Sequence, residues 1–158
     1  MNPFRAVNIA GRLVGEGRPV FVVAEAGINH NGDVELAKKL IDVGAAAGAD
    51  AVKGQKRTVD VVYSSAELAR PRENPFGPTN GDLKRGLEFP PRVHRDLDEH
   101  ARSLGLRWTA SAWDEQSLAD VLTLEPSFLK IASASLTDDA LLRAHRGHGI
   151  PSLLSTGM

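Results

Sequence analysis

The chain has 158 residues, 42% of them apolar and 25% charged, with a formal net charge of −1. That size and composition suit one globular domain with a real core, and the near-neutral charge argues against nucleic acid or an anionic membrane surface as partner. The absence of cysteine removes disulfides and thiolate chemistry, and with no membrane-length apolar run and no signal-peptide core the expected location is cytoplasmic.

In chain order, "FRAVNIAGRLVGEGRPV" reads as a small hairpin, and residues 1–19 are assigned to it as an N-terminal cap. The main domain, residues 20–158, then alternates short apolar runs with helical ones. "VFVVAEAGI" (20–28) is a strand with a glutamate, Glu25, set inside it. Residues 33–48 form a helix capped by Asp33, with Leu36, Leu40, Ile41 and Val43 as its apolar stripe and Gly48 as its stop. "DAVKGQKR" (50–57) is a strand with a polar end. Residues 58–89 are rich in Pro, Gly and Arg, weakly periodic, and read as a long functional loop.

The alternation resumes with a helix over 91–105, proline at its start and glycine at its end. Strand 106–113, helix 114–124, strand 127–135, helix 138–149 and strand 151–158 follow. Five strands joined through helices predict an α/β fold with a parallel sheet and right-handed crossovers. An open doubly wound sheet and a TIM-type (β/α) barrel both accept this order. No G-x-G-x-x-G follows the first strand, which disfavours a dinucleotide fold. As a barrel, the chain supplies about five of eight strands.

Polar residues gather at the strand ends: Glu25 on the first, Lys53, Gln55 and Arg57 on the second, Thr109 and Ser111 on the third, Lys130 and Ser133 on the fourth, Ser155 and Thr156 on the fifth. Parallel α/β folds bind ligands there. Two ammonium groups with several hydroxyls suit a small, highly charged anion. Taken singly, Gln55, Thr109 or Thr156 is no more than a strand meeting water. Lys53 and Lys130 each sit in apolar sequence, where an ammonium needs an anionic partner; Glu25 is either a catalytic carboxylate or a structural partner for Lys53. His145 and His148 are read as a solvated helix end, His94 and His100 receive no role, and His30 is a candidate in the loop after the first strand. No metal site can be assembled from this chain.

The motifs "AEAGINHNGD", "GADAVKGQKRT", "TNGDLKRGLEF", "TASAWDEQSL", "LKIASASLTDDALL" and "PSLLSTGM" together resemble the sialic acid synthase family, the N-acetylneuraminate synthases. The resemblance implies a (β/α)8 barrel that condenses phosphoenolpyruvate with N-acetylmannosamine or a related 2-acetamido sugar and releases phosphate. It implies a divalent metal, manganese or magnesium, whose ligands lie outside this chain, and a homodimer. By the same resemblance Glu25, Lys53 and Lys130 are catalytic, the lysines holding the carboxylate and phosphate of phosphoenolpyruvate. Gln55, Ser111, Ser133 and Ser155 are substrate-binding.

Two positions depart from the family pattern. Gly54 stands where relatives usually have phenylalanine; strand alternation turns it toward the helices, where the missing ring is expected to leave a void worth roughly 3–5 kcal/mol. Ser135 stands where many relatives have an acid, which leaves the identity of the sugar open, a bacterial nonulosonic acid precursor or a phosphorylated sugar included. The alternative to an enzyme is a non-catalytic half-barrel that binds an anion or pairs with another chain, since an unclosed barrel has sheet edges to cover.

Overall fold

The structure, a computed structural model, describes residues 6–157. Strands β1 (Val7–Ile9) and β2 (Arg12–Val14) form the opening antiparallel hairpin. Its turn, Ala10-Gly11, has φ of 54° and 85°, the left-handed pair that matches strand twist in a two-residue connection. Asn8 Oδ1 accepts the Gly11 N–H at 2.8 Å. The Arg12 guanidinium pairs with Asp50, whose second oxygen accepts the Val22 N–H at 2.7 Å, tying the hairpin to the sheet. Ile9 is buried with Ala51 and Phe128 and closes the N-terminal end of the sheet's concave face. The hairpin reading extends over residues 1–5, which lie outside the described residues.

The sheet has five parallel strands in the order β3 (Val23–Gly27), β4 (Ala51–Lys56), β7 (Arg107–Ala112), β8 (Leu129–Ile131) and β9 (Ser152–Leu154). Sequential strands are spatial neighbours, as a barrel requires. Helix α1 (Val34–Ala46) is capped by Asp33, whose carboxylate accepts from the Glu35 and Leu36 N–H groups. Its buried line is Ala37, Ile41 and Gly44, spaced i, i+4, i+7. The predicted stripe is therefore rotated: Leu36 and Leu40 flank the contact, and Val43 is 65% exposed. Small residues win this face because the helix lies close on the sheet; a Cβ on Gly44 would stand 3.0 Å from Val52.

Residues 58–89 are built, not looped. They hold α2 (Val59–Val62), α3 (Ser65–Leu68), the hairpin β5 (Pro71–Asn74) and β6 (Gly77–Thr79), and α4 (Asn80–Gly86). Capping boxes at Ser64 with Glu67 and at Thr79 with Asp82 start two of these helices. Each piece is too short to show periodicity in sequence. Phe76 packs on Gly86, where any Cβ would collide with its ring.

The remaining layer is α5 (Pro91–Ser103), α6 (Glu115–Leu122) and α7 (Asp139–Gly147). The fourth strand ends earlier than predicted; Ser133–Ser135 is a 3-10 turn that carries the chain outward. Gly54 does face the helices, but the void there is much smaller than a missing ring, a cavity of about 10 Å³ lined by Gly54, Phe89, Leu97 and Trp108. The Trp108 ring from the next strand fills most of the space, 2.9 Å from where a Cβ would stand. His145 is not solvated: it is 1% exposed, with Nδ1 2.8 Å from the Leu141 carbonyl, whereas His148 is exposed as expected. No helix among the described residues is long and apolar enough to cross a membrane.

Candidate active site

On β4 the residues alternate sides. Val52 joins the helix-facing core, while Lys53 and Gln55 share the opposite, concave face. Register aligns these residues into two rows. Glu25 pairs with Lys53 and Lys53 with Thr109; one step toward the C-terminal ends, Gln55 pairs with Ser111 and Ser111 with Lys130. Side chains of alternate residues on adjacent strands thus form layers, as in a barrel interior.

Electrostatics link the two rows. Glu25 Oε2 lies 3.4 Å from Lys53 Nζ and Oε1 lies 3.7 Å from Lys130 Nζ. Lys130 also donates to Ser155 Oγ at 2.7 Å. The Lys53 side chain is 4% exposed and that of Glu25 58%, so the carboxylate stands at the mouth and the ammonium beneath it. Burial lowers the Lys53 pKa from its usual value; Glu25 works against that shift and Lys130 adds to it. A buried ammonium costs several kcal/mol without a partner, and one carboxylate serves two here. The arrangement retains an excess of positive charge and opens toward solvent at Glu25.

Of the predicted residues, Glu25, Lys53, Lys130 and Ser155 meet directly. Ser111 sits between Gln55 and Lys130 in register, buried, with Oγ unpartnered. Gln55 is half-buried beside Gly27. Ser133 opens the 3-10 turn, and its hydroxyl makes no hydrogen bond among the described residues. His30 is turned away: it is buried, stacks on Phe89 at 4.1 Å between centroids, and accepts the Gly32 N–H on Nδ1. Among the described residues no group of three or more His, Asp or Glu side chains could hold a metal ion, and both oxygens of Glu25 already face lysines.

Two supports escape the sequence reading. Arg57 is clamped by Glu88, which accepts from its N–H at 2.9 Å and its Nε at 3.0 Å. The guanidinium also donates to Tyr63 at 3.3 Å and lies over Trp113. Burial raises the Glu88 pKa even against these bonds. Asp114 accepts from Thr58 N and Oγ1 and from Ser117 N and Oγ; burial would raise its pKa, but those hydrogen bonds win and lower it. The first pair joins residues far apart in sequence, without a local signal. Asp114 was readable as the cap before "EQSL".

The sequence profile of the NeuB family matches residues 40–158. The chain belongs to the NeuB family. It is 35% identical over 150 residues to human N-acetylneuraminate-9-phosphate synthase, covering 94% of this chain and 42% of that protein. It is 37% identical over 147 residues to N,N'-diacetyllegionaminic acid synthase of Legionella pneumophila, covering 91% of this chain and 41% of that one. Among solved structures, the N-acetylneuraminic acid synthetase of Leptospira borgpetersenii in complex with citrate superposes with a TM-score of 0.84 at 26% identity, covering 98% of this chain and 50% of that one. A truncated 3-deoxy-D-arabino-heptulosonate 7-phosphate synthase of Thermotoga maritima, at 15% identity and a TM-score of 0.65, shares the fold alone. The NeuB-family chain thus spans half or less of the length of these relatives.

Proposed function

We propose that this chain carries the phosphoenolpyruvate half of a nonulosonic acid synthase site. The observation that carries the reading is the convergence of Lys53 and Lys130 on Glu25 at the carboxyl ends of the strands, with Ser155 on Lys130 and the unpartnered Ser111 hydroxyl alongside. A dianionic phosphate and a carboxylate on one small molecule match two ammonium groups and nearby hydroxyls. The names of the relatives supply the class of product: N-acetylneuraminate 9-phosphate and diacetyllegionaminic acid are both nonulosonic acids. The co-substrate is then N-acetylmannosamine or a related 2-acetamido sugar.

In this reaction carbon 3 of the enol attacks the sugar aldehyde, the new C–C bond forms, and the aldehyde oxygen takes a proton. Water adds at carbon 2, and the tetrahedral intermediate loses phosphate and a proton to leave the keto acid. The lysines position the enol phosphate and stabilise its charge. Glu25, exposed at the mouth, is placed to exchange protons with the incoming water. Gln55, level with Ser111, and Ser133, on the turn after the Lys130 strand, are assigned to the substrates. The described residues do not fit a divalent metal, and no step here passes through one; in the proposal manganese or magnesium is held by residues outside the chain. A homodimer and a cytoplasmic location belong to the same proposal.

A second reading, a half-barrel that binds an anion and pairs with a partner chain, is favoured by the sheet edges. β3 and β9 are each paired on one side only among the described residues, with Val22 exposed just before β3 and Leu154 exposed on β9. Calorimetric titration with phosphoenolpyruvate tests the common element. Wild type binds and Lys130→Ala loses at least about tenfold in affinity, the scale of one charge-assisted hydrogen bond; equal binding by both would overturn the assignment. Phosphate release on adding N-acetylmannosamine and manganese separates the enzyme from the half-barrel.

A further inference from the structure

The core between the sheet and α5 holds three buried nitrogens without partners. His94 and Trp108 are each 4% exposed, and Nδ1 and Nε2 of His94 and Nε1 of Trp108 have no hydrogen-bond partner among the described residues. Buried polar groups are nearly always satisfied, by protein or by ordered water. The two rings do not satisfy each other: their centroids stand 6.1 Å apart and their planes are tilted by 43°. Phe89, edge-on to His94 at 6.3 Å, offers only carbon and hydrogen. Lys56, the nearest cation, is taken up by Glu88, Asp120 and the Arg57 carbonyl.

Both rings line the small cavity beside Gly54. Its volume of about 10 Å³ is about the room that one water needs, and a water also needs two to four polar partners. Gln55 supplies a third polar group on the wall. Its carboxamide makes no hydrogen bond among the described residues, and Nε2 lies 3.8 Å from where a Cβ on Gly27, also on the wall, would stand. Cavities that stay dry are lined by apolar groups; this one is not.

We propose that this cavity binds one structural water, which bridges the Trp108 indole to His94 and takes the Gln55 carboxamide as its third partner. The donor count closes. An indole N–H only donates, and a neutral histidine has one donor and one acceptor nitrogen. The water accepts from Trp108, donates one hydrogen to the acceptor nitrogen of His94, and has a second hydrogen for Gln55 Oε1. The site depends on the glycine, because a Cβ on Gly54 would stand 2.9 Å from the Trp108 ring and close on the same space. Gln55 is level with Ser111, so the water ties a residue of the concave face to the core behind the strand. This inference does not depend on the synthase reading.

The test is NMR on the 158-residue chain, whose two tryptophans give two indole N–H signals. The Trp108 indole should show NOE and ROE cross-peaks of opposite sign at the water frequency, the signature of a long-lived bound water and not of proton exchange. At neutral pH the His94 ring is uncharged, and a long-range proton–nitrogen correlation should place its unprotonated nitrogen in the hydrogen-bonded range. His94→Phe should abolish the Trp108 cross-peak while the Trp113 indole signal keeps its position, which reports an intact fold. The absence of a water cross-peak at Trp108, a free-acceptor shift at His94, or a cross-peak that persists in His94→Phe would each overturn the proposal. If His94→Phe does not fold, the two wild-type readings decide it.

Discussion

Gly54→Ala sets two effects of opposite sign against each other. Gly54 has ordinary strand backbone, not the left-handed region, so alanine would restrict the unfolded chain and stabilise the fold by about 0.4–1 kcal/mol if the site had room. The structure says it has none: the new Cβ would stand 2.9 Å from both Cη2 and Cζ2 of Trp108, a ring 4% exposed in the core. Moving a packed ring costs about 1–3 kcal/mol, so the expected net is a loss of about 1–2 kcal/mol. Gly54→Phe should lose at least as much, about 3 kcal/mol. Trp108→Ala alone should cost about 3–5 kcal/mol. In the double variant Gly54→Phe/Trp108→Ala the new ring takes the vacated space, so the double loses less than the sum by about 1–3 kcal/mol. Urea unfolding with linear extrapolation resolves differences of this size. A more stable Gly54→Ala, or an additive double variant, would refute the account of the glycine as the space a neighbouring tryptophan occupies.

Glu25→Gln removes the carboxylate shared by Lys53 and Lys130. Breaking a buried pair costs about 3–5 kcal/mol, but Glu25 stands at the mouth and water screens it, so about 1–2 kcal/mol is expected. Added phosphoenolpyruvate should restore more stability to the variant than to wild type, read as the shift in unfolding midpoint; an unchanged midpoint and an equal ligand response would contradict the assignment. His94 is buried with both ring nitrogens unpartnered, and burial, with Lys56 and His30 adding to it, lowers its pKa to about 4. The unfolded histidine takes a proton near pH 6.5 and the folded one does not, so this stability is complete above pH 6.5 and is lost as pH falls toward 4. The shift corresponds to about 3 kcal/mol. His94→Phe should flatten that part of the curve in urea melts at pH 7 and pH 4.5, and an unchanged slope would refute it.

Local chemistry explains what was legible in the sequence. Strand and helix alternate because apolar runs and amphipathic repeats are properties of neighbours in the chain, and Asp33 caps α1 because a carboxylate reaches the N–H groups two and three residues on. Side chains on strands alternate faces, so Lys53 and Gln55 were bound to share one, and the strand order carried Lys130 to the same end. Other features depended on distant chain. Val43 reads as core by its own chemistry, but the close approach of α1 to the sheet hands that face to Ala37, Ile41 and Gly44. Residues 58–89 hide their structure because capped pieces of three to seven residues are too short for a period to appear. The space predicted as a void at Gly54 is taken up largely by a ring from the next strand of the parallel sheet, and Arg57 finds Glu88 across 31 residues. Local periodicity and capping are written in adjacent residues; which side chain fills a space, and which carboxylate answers a buried cation, are decided only when the strands are brought together.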